Sequence, residues 1–214
     1  MASEPSSELP IFELPVVLLP GELMPLHIFE DRYRRMICHC LAEHEPFGIV
    51  FRDQVGGARR IGCTARVIEV LERFDDGRMN IVVTGEEPFQ VIDRFESTGY
   101  PAGEIEPVAE PKEDIGTEAE TDAEATRAVF ADLVERVGRS DSDEVDDSSA
   151  YAIAARVELP VVVKQELLEL RSESERMRVL GGALRDLLDT LDRSAEVAAR
   201  ARMNGKVTLG PITP

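Results

Sequence analysis

Between Leu9 and Met36 the chain reads LPIFELPVVLLPGELMPLHIFEDRYRRM, and the order of its parts restricts the fold more than any other stretch. Two short apolar runs, 11–14 and 16–19, have the length of strands rather than helices. They lead into PGELMPL, residues 20–26, where Pro20 and Pro25 fix φ and each withhold a backbone donor, so the stretch reads as a stiff loop. A helix follows. Tyr33, Met36, Ile37, Cys40 and Leu41 recur at i, i+3, i+4, i+7 and i+8, with Glu30 and Asp31 at the end that favours negative charge. Such a stripe is suited to covering a sheet. Arg32, Arg34 and Arg35 fall mostly off it, either as a solvated face or as contacts for an acidic partner.

The strands continue beyond the helix. Phe47 to Phe51 is an apolar run short enough for a buried strand. Ile61, Cys63, Ala65 and Val67 alternate, then the phase shifts to Ile68 and Val70, which marks a bulge. Met79, Ile81 and Val83 hold one face of the next segment, and Asp75-Asp76-Gly77 between the two supplies a turn that accepts positive φ. Phe89, Val91 and Phe95 keep the period of two. At least six strands are therefore expected before residue 108.

The second half changes character. From Glu110 to Glu124 there are seven acids, one lysine and a proline, with almost no large apolar side chain, which reads as a linker. Thr121 and Glu124 form a capping box for a helix carrying Val129, Phe130, Leu133, Val134 and Val137, closed by Gly138. Ser148 suits the cap of a short alanine-rich helix, and Pro160 the first turn of VVVKQELLEL. Ser172 with Glu175 is another capping box. It opens a stripe of Met177, Leu180, Leu184, Leu187 and Leu191 on a helix running to about Asn204. Gly181-Gly182 weakens that helix by about 1 kcal/mol per residue, which is consistent with a close helix approach there. The expected organisation is a β-rich lobe over 9–108, an acidic linker over 109–120, a helical lobe over 121–204 and a tail over 205–214.

Taken together, the 9–36 segment, FGIVF (47–51), IGCTARVIEV and DDGRMNIVVTGEEPFQVI within 61–92, and ELPVVVKQELLEL with SESERMRVLGGAL (158–184) resemble the amino-terminal domain of the Lon proteases. The Lon-like part of cereblon shares the resemblance, which runs from about Pro10 to Leu191. It implies an α+β fold: a PUA-like β-barrel or sheet lobe with one capping helix, then a helical bundle ending in a long helix. It also implies a module that recognises protein substrates, either unfolded segments or one specific partner, as an adaptor or regulator. The alternative is a PUA-like protein that binds nucleic acid or a small molecule. Cereblon takes its ligands in a separate zinc-bearing domain, and no matching cysteine set follows here.

The chemistry of the chain is that of a binder. There is no G-x-x-x-x-G-K-[ST] loop to hold a nucleotide's phosphates, and none of the three lysines, Lys112, Lys164 and Lys206, is placed to activate a serine. His27, His39 and His44 have no assignable catalytic partner. No cofactor is implied. Cys38-His39-Cys40 places three metal-ligand types together, but residues two apart on a helix face nearly opposite ways. The cysteines Cys38, Cys40 and Cys63 read as reduced thiols. The acidic run 141–147 departs from the EF-hand pattern at Val145 and lacks its glycine.

Charge argues in the same direction. The net charge is −18, with 10 bases against 19 acids through Val108 and 14 against 23 after it, so neither half is a basic module. Nucleic acid is thus disfavoured as a partner. No apolar run approaches the ~20 residues of a membrane span. The start, MASEPSSELP, has neither a basic nor an apolar signal region, so the cytoplasm is the expected compartment. What remains is the 20–26 stretch. Exposed, Leu23, Met24 and Leu26 would form an apolar lip for a partner; packed inward, they would close the end of a barrel. Together with Arg34 and Arg35 they are the candidate partner-binding residues.

Overall fold

The chain is seen in a computed structural model that describes residues 7–53, 55, 57–97, 99–110, 117–137 and 148–204. The strands are β1 (Ser7–Leu14), β2 (Leu23–Ile28), β3 (Phe47–Asp53), β4 (Gly57–Arg73), β5 (Met79–Ser97) and β6 (Tyr100–Pro107), with helix α1 (Asp31–Glu43) between β2 and β3. Helices α2 (Thr117–Val137), α3 (Ala150–Ala154), α4 (Val161–Glu169) and α5 (Glu173–Asn204) follow. The architecture is α+β, as the sequence implies.

The strand order is β2-β5-β4-β3-β1-β6, and β6 also pairs with β5. That extra pairing closes a five-stranded barrel of β1, β3, β4, β5 and β6, which removes their open edges. It is possible because β5 is 19 residues long and changes neighbour along its length. Its first part, Met79 to Thr84, pairs with β2, and its last part, Phe89 to Ser97, pairs with β6. On its other side β4 follows it from Met79 to Gln90, while β3 pairs only with the first part of β4, Gly57 to Ala65. The far ends of β4 and β5, together with β2, therefore form a three-stranded wing outside the barrel.

The hairpin joining β4 to β5 turns at Gly77, whose φ of 84° is the left-handed conformation the sequence calls for. The expected bulge is present: between Val67 and Glu69 the register against β5 slips by one, and it slips again between Val70 and Glu72.

Two apolar layers hold the barrel. One contains Leu9, Ile11, Val50, Phe89, Val91 and Ile105. Phe89 is seated over Gly48 and Gly62; a Cβ at Gly48 would lie 2.5 Å from its ring, so only glycine leaves room for it. The other layer is larger and joins the opposite strand faces to α1 and to the helical lobe in one cluster. Tyr33, Met36, Ile37 and Cys40 are the buried face of α1, with Phe12 against the Tyr33 ring at 4.1 Å.

Several elements depart from the sequence reading. Residues 16–19 form no strand: Val17, Leu18 and Leu19 are buried as irregular chain. The 20–26 stretch is a turn only at 20–22 and then becomes β2. β6 takes the sixth place in the sheet, and 79–97 is one strand rather than two. Helix α2 begins at Thr117, ahead of the Thr121–Glu124 capping box, and Gly138 lies outside the described residues. The cap of α3 is Ser149, whose hydroxyl accepts from Ala152 N at 3.2 Å. Residues 111–116, the acidic run 141–147 and the tail 205–214 also lie outside the described residues.

The box at α5 forms, with Glu175 N donating to Ser172 Oγ at 3.2 Å. Leu188 rather than Leu191 completes the buried stripe, which leaves Leu191 exposed. α2 lies along α5 in the same direction, with Thr126 beside Gly181 and Arg136 paired to Asp192. Thr126 Oγ1 donates to Met177 O at 2.9 Å and occupies the space a Cβ at Gly181 would need. The close approach falls at Gly181, while Gly182 faces open space.

Removing the barrel's central ring tests this packing. Phe89→Ala is expected to lower stability by about 3–5 kcal/mol, read as a shift of the urea midpoint, because the cavity over Gly48 and Gly62 has no side chain to refill it.

Candidate functional site

The wing is anchored where β1 turns into β2. Gly21 N donates to Gly85 O at 2.9 Å and Gly85 N to Glu22 O at 3.0 Å, so the 20–22 turn is fastened to β5 at the point where β5 leaves β2. The Glu22 carboxylate then does two things. It accepts the Leu19 N–H at 3.0 Å and an N–H from Lys164 on α4. Both side chains of that ion pair are only 13% exposed, so it is shielded from water and ties the helical lobe to the root of the wing.

From this root β2 alternates strictly. Ile28 is buried, and Met24 and Leu26 are half-buried against the main core, while Leu23, Pro25 and His27 face solvent. The two readings left open by the sequence are thus divided between the strand's two faces. Leu23 is 62% exposed. Pro25 sits on a strand whose outer edge has no partner among the described residues, a position where a missing N–H is tolerated.

The outer face of the wing is read directly from register. Pro25 lies opposite Val82 and His27 opposite Asn80, and on the far side Glu69 faces Val82 and Glu72 faces Asn80. His27 Nδ1 and Asn80 Oδ1 are 2.6 Å apart, and Asn80 Nδ2 donates to Glu72 Oε2 at 3.1 Å, forming a polar row across three strands. Around it stand Phe29, 60% exposed and stacked on His27 with ring centroids 5.9 Å apart, and Phe74, edge-on to His27 at 6.1 Å. Ile68 and Leu71, at two of the register shifts of β4 against β5, are also mostly exposed. Phe29 and these two β4 residues were missed in the sequence reading. The bulged phase shift was the only signal for Ile68 and Leu71.

Arg34 and Arg35 lie elsewhere, on the outer side of α1. Arg34 donates to Asp76 O in the β4–β5 turn and to Asp31, and Arg35 Nη2 donates to Gly99 O at 3.2 Å in the β5–β6 turn. Each pins a hairpin to the helix. With Cys38 and Gly77 they line an open cavity of about 360 Å³. The structure therefore does not bring the two arginines together with Leu23, Met24 and Leu26.

The cysteines follow helix geometry: Cys38 is exposed while Cys40, two residues on, is buried, as is Cys63. Burial pushes the Cys40 thiol up to about 11 and the Cys63 thiol up to about 12, so both remain protonated at neutral pH. Among the described residues no group of three His, Cys, Asp or Glu side chains is arranged to hold a metal ion. No helix among them is long and apolar enough to cross a membrane.

Comparison with known proteins places this arrangement. The profile of the ATP-dependent protease La (LON) substrate-binding domain matches residues 8–186, and the chain belongs to that family. Lon protease 2 of Herpetosiphon aurantiacus is 27% identical over an alignment of 142 residues that covers 62% of this chain and 17% of that protein. The chain thus spans about a sixth of that relative's length. Among solved structures, a Lon N-terminal domain protein from Xanthomonas campestris superposes with a TM-score of 0.61 at 23% identity, over 81% of this chain and 96% of its own. The N-terminal domain of the Mycobacterium avium complex Lon protease does so with a TM-score of 0.63 at 22% identity, over 84% and 99%.

Two measurements check the anchoring and the thiols. Lys164→Ala should lower stability by about 3 kcal/mol in urea unfolding, since Glu22 is left shielded without its cation. A thiol reagent at neutral pH should label Cys38 rapidly in the folded protein, with Cys40 and Cys63 reacting only after denaturant is added.

Proposed function

We propose that this chain is a protein-binding module without a catalytic step, and that it takes extended, unfolded polypeptide segments on the outer face of the wing. The observation that carries the reading is the group of exposed apolar side chains, Leu23 on β2, Phe29 just past its end, and Ile68 and Leu71 on β4, on a wing held rigid at its root. A preformed surface loses little entropy on docking, which suits the weak sampling of many clients. The unpaired outer edge of β2 offers backbone groups beside that surface, although Pro25 reduces the donors available for strand addition. Met24 and Leu26 act from beneath by packing the strand onto the core.

Membership of a substrate-binding family supports the same partner class. Arg34 and Arg35 are a secondary contact for acidic groups on a client, at the open cavity beside α1 that both of them line. The lobes 9–108 and 121–204 serve as one unit here, because Lys164 of the second braces the root of the wing. The cytoplasm, where unfolded clients with reduced thiols occur, is the compartment this reading favours. With a net charge of −18, basic and apolar clients should bind better than acidic ones, and the difference should shrink with added salt.

The test is titration of a fluorescent, permanently unfolded polypeptide against the wild type and a Leu23→Ser/Phe29→Ser variant. Both substituted side chains are exposed, so the fold should survive, as circular dichroism can verify. Binding by the wild type in the micromolar range and a loss of at least about fivefold, roughly 1 kcal/mol, in the variant is expected. Equal binding by the two would remove the wing from the mechanism.

A further inference from the structure

A second group of arginines converges at a site distinct from the wing's outer face. Arg32 from α1, Arg52 from the end of β3 and Arg94 from β5 line one cavity of about 330 Å³, whose floor is apolar: Ile11, Phe95, Pro101 and Ala102. In sequence the three are 20 and 42 residues apart. The barrel assembles them because β1, β3 and the last part of β5 meet at that end.

One carboxylate organises the wall. Glu13, with its side chain 13% exposed, accepts from Arg52 Nε at 2.7 Å and from Arg52 Nη2, and its other oxygen lies 3.5 Å from Arg94 Nε. Two guanidinium groups therefore share one anion. Arg94 Nη2 is further fixed to Arg59 O at 2.5 Å. Arg32 lies over the Tyr33 ring at 4.4 Å and bonds Glu30 through Nε and Nη2. Each arginine is oriented by its Nε and Nη2 groups. Nη1 of all three carries no hydrogen bond among the described residues. Among the described residues Glu96 is the only other acid on the wall; counting Glu13 and the Glu30 that pairs with Arg32, three carboxylates match the three cations, so the site is locally neutral in a chain of net charge −18.

We propose that this cavity binds a carboxylate carried directly on an apolar body, and that its occupant is the carboxy-terminal residue of a polypeptide with an apolar side chain. Guanidinium donors match the planar geometry of a carboxylate, and the floor accepts the side chain. The volume lies at the small end of ligand pockets, which suits one or two residues. Only a chain terminus places the negative charge and an apolar side chain on the same residue; an internal Asp or Glu separates them. A nucleic acid fits the observations less well. Phe95, the one aromatic side chain in the lining, is half-buried, which leaves no open stacking platform, and the net charge repels a polyanion.

This proposal does not rest on the wing as a client surface, and its readout is separate. A seven-residue peptide, labelled at its amino terminus and ending in Leu, is titrated against the full chain as the free acid and as the carboxy-terminal amide. Octanoate and a short single-stranded RNA serve as further probes. The free acid should bind at least about tenfold more tightly than the amide. Arg94→Gln and, separately, Arg32→Gln should each abolish most of that difference while leaving the amide unchanged. Arg32→Gln guards against misfolding, because its charged partner among the described residues is the exposed Glu30. Equal affinity for acid and amide, or an acid preference untouched by both substitutions, overturns the proposal. Octanoate binding without peptide-acid binding overturns the terminus as occupant, and RNA binding that depends on the same arginines and exceeds that of the peptide overturns the ligand class.

Discussion

The Glu22 carboxylate is the contact on which the arrangement of the rest depends. It lies in a three-residue turn between buried irregular chain and β2, and it receives one backbone N–H and one ammonium group from a helix 142 residues away in sequence. Shielding strengthens the pair, and the hydrogen bonds between the turn and Gly85 hold it in register with β5. It adds a fixed polar tie between the helical lobe and the strands that leave the barrel, beside the apolar cluster that the two share. Arg176 plays a matching part in the helical lobe. Its side chain is 3% exposed and bonds Glu173, Glu110 and Leu170 O while lying over the Tyr151 ring. The first cation ties the helical lobe to the turn before β2, and the second ties it to the chain just after β6.

Much of this was legible in sequence wherever a local rule decided the outcome. The Asp75-Asp76-Gly77 turn, the bulged phase shift after Val67, the stripe on α1 and the Ser172–Glu175 box each depend on residues a few positions apart. The failures share a different cause. The run 16–19 has strand-like composition but no partner strand, because the turn at 20–22 diverts the chain first. β2 was hidden by Pro20 shortly before it and Pro25 within it, which argue against a central strand but not an edge one. β6, YPAGEIEP, has too little apolar character to declare itself and is recruited by closure of the barrel. α2 starts before its apparent box because acidic residues at a helix start are favourable without a cap.

The candidate sites show the same division. Leu23 could be singled out from sequence, yet its exposure depends on the parity of β2, which a one-residue slip would reverse. Arg34 and Arg35 were visible as a cluster, but their tie to two hairpin turns was not, since the turns lie 42 and 64 residues on. The meeting of Arg32, Arg52 and Arg94 around one cavity leaves no trace in spacing. Barrel closure alone creates it.

The continuity of β5 has a mechanical consequence. A strand of 19 residues, about 60 Å if fully extended, is shared by the wing and the barrel without a break. A pull applied to β2 along its axis meets a row of hydrogen bonds in parallel, which resist sliding together rather than opening one after another. The force then passes down β5 into a closed cylinder with no free edge to peel. A tethered polypeptide under tension would load the fold in its stiffest direction.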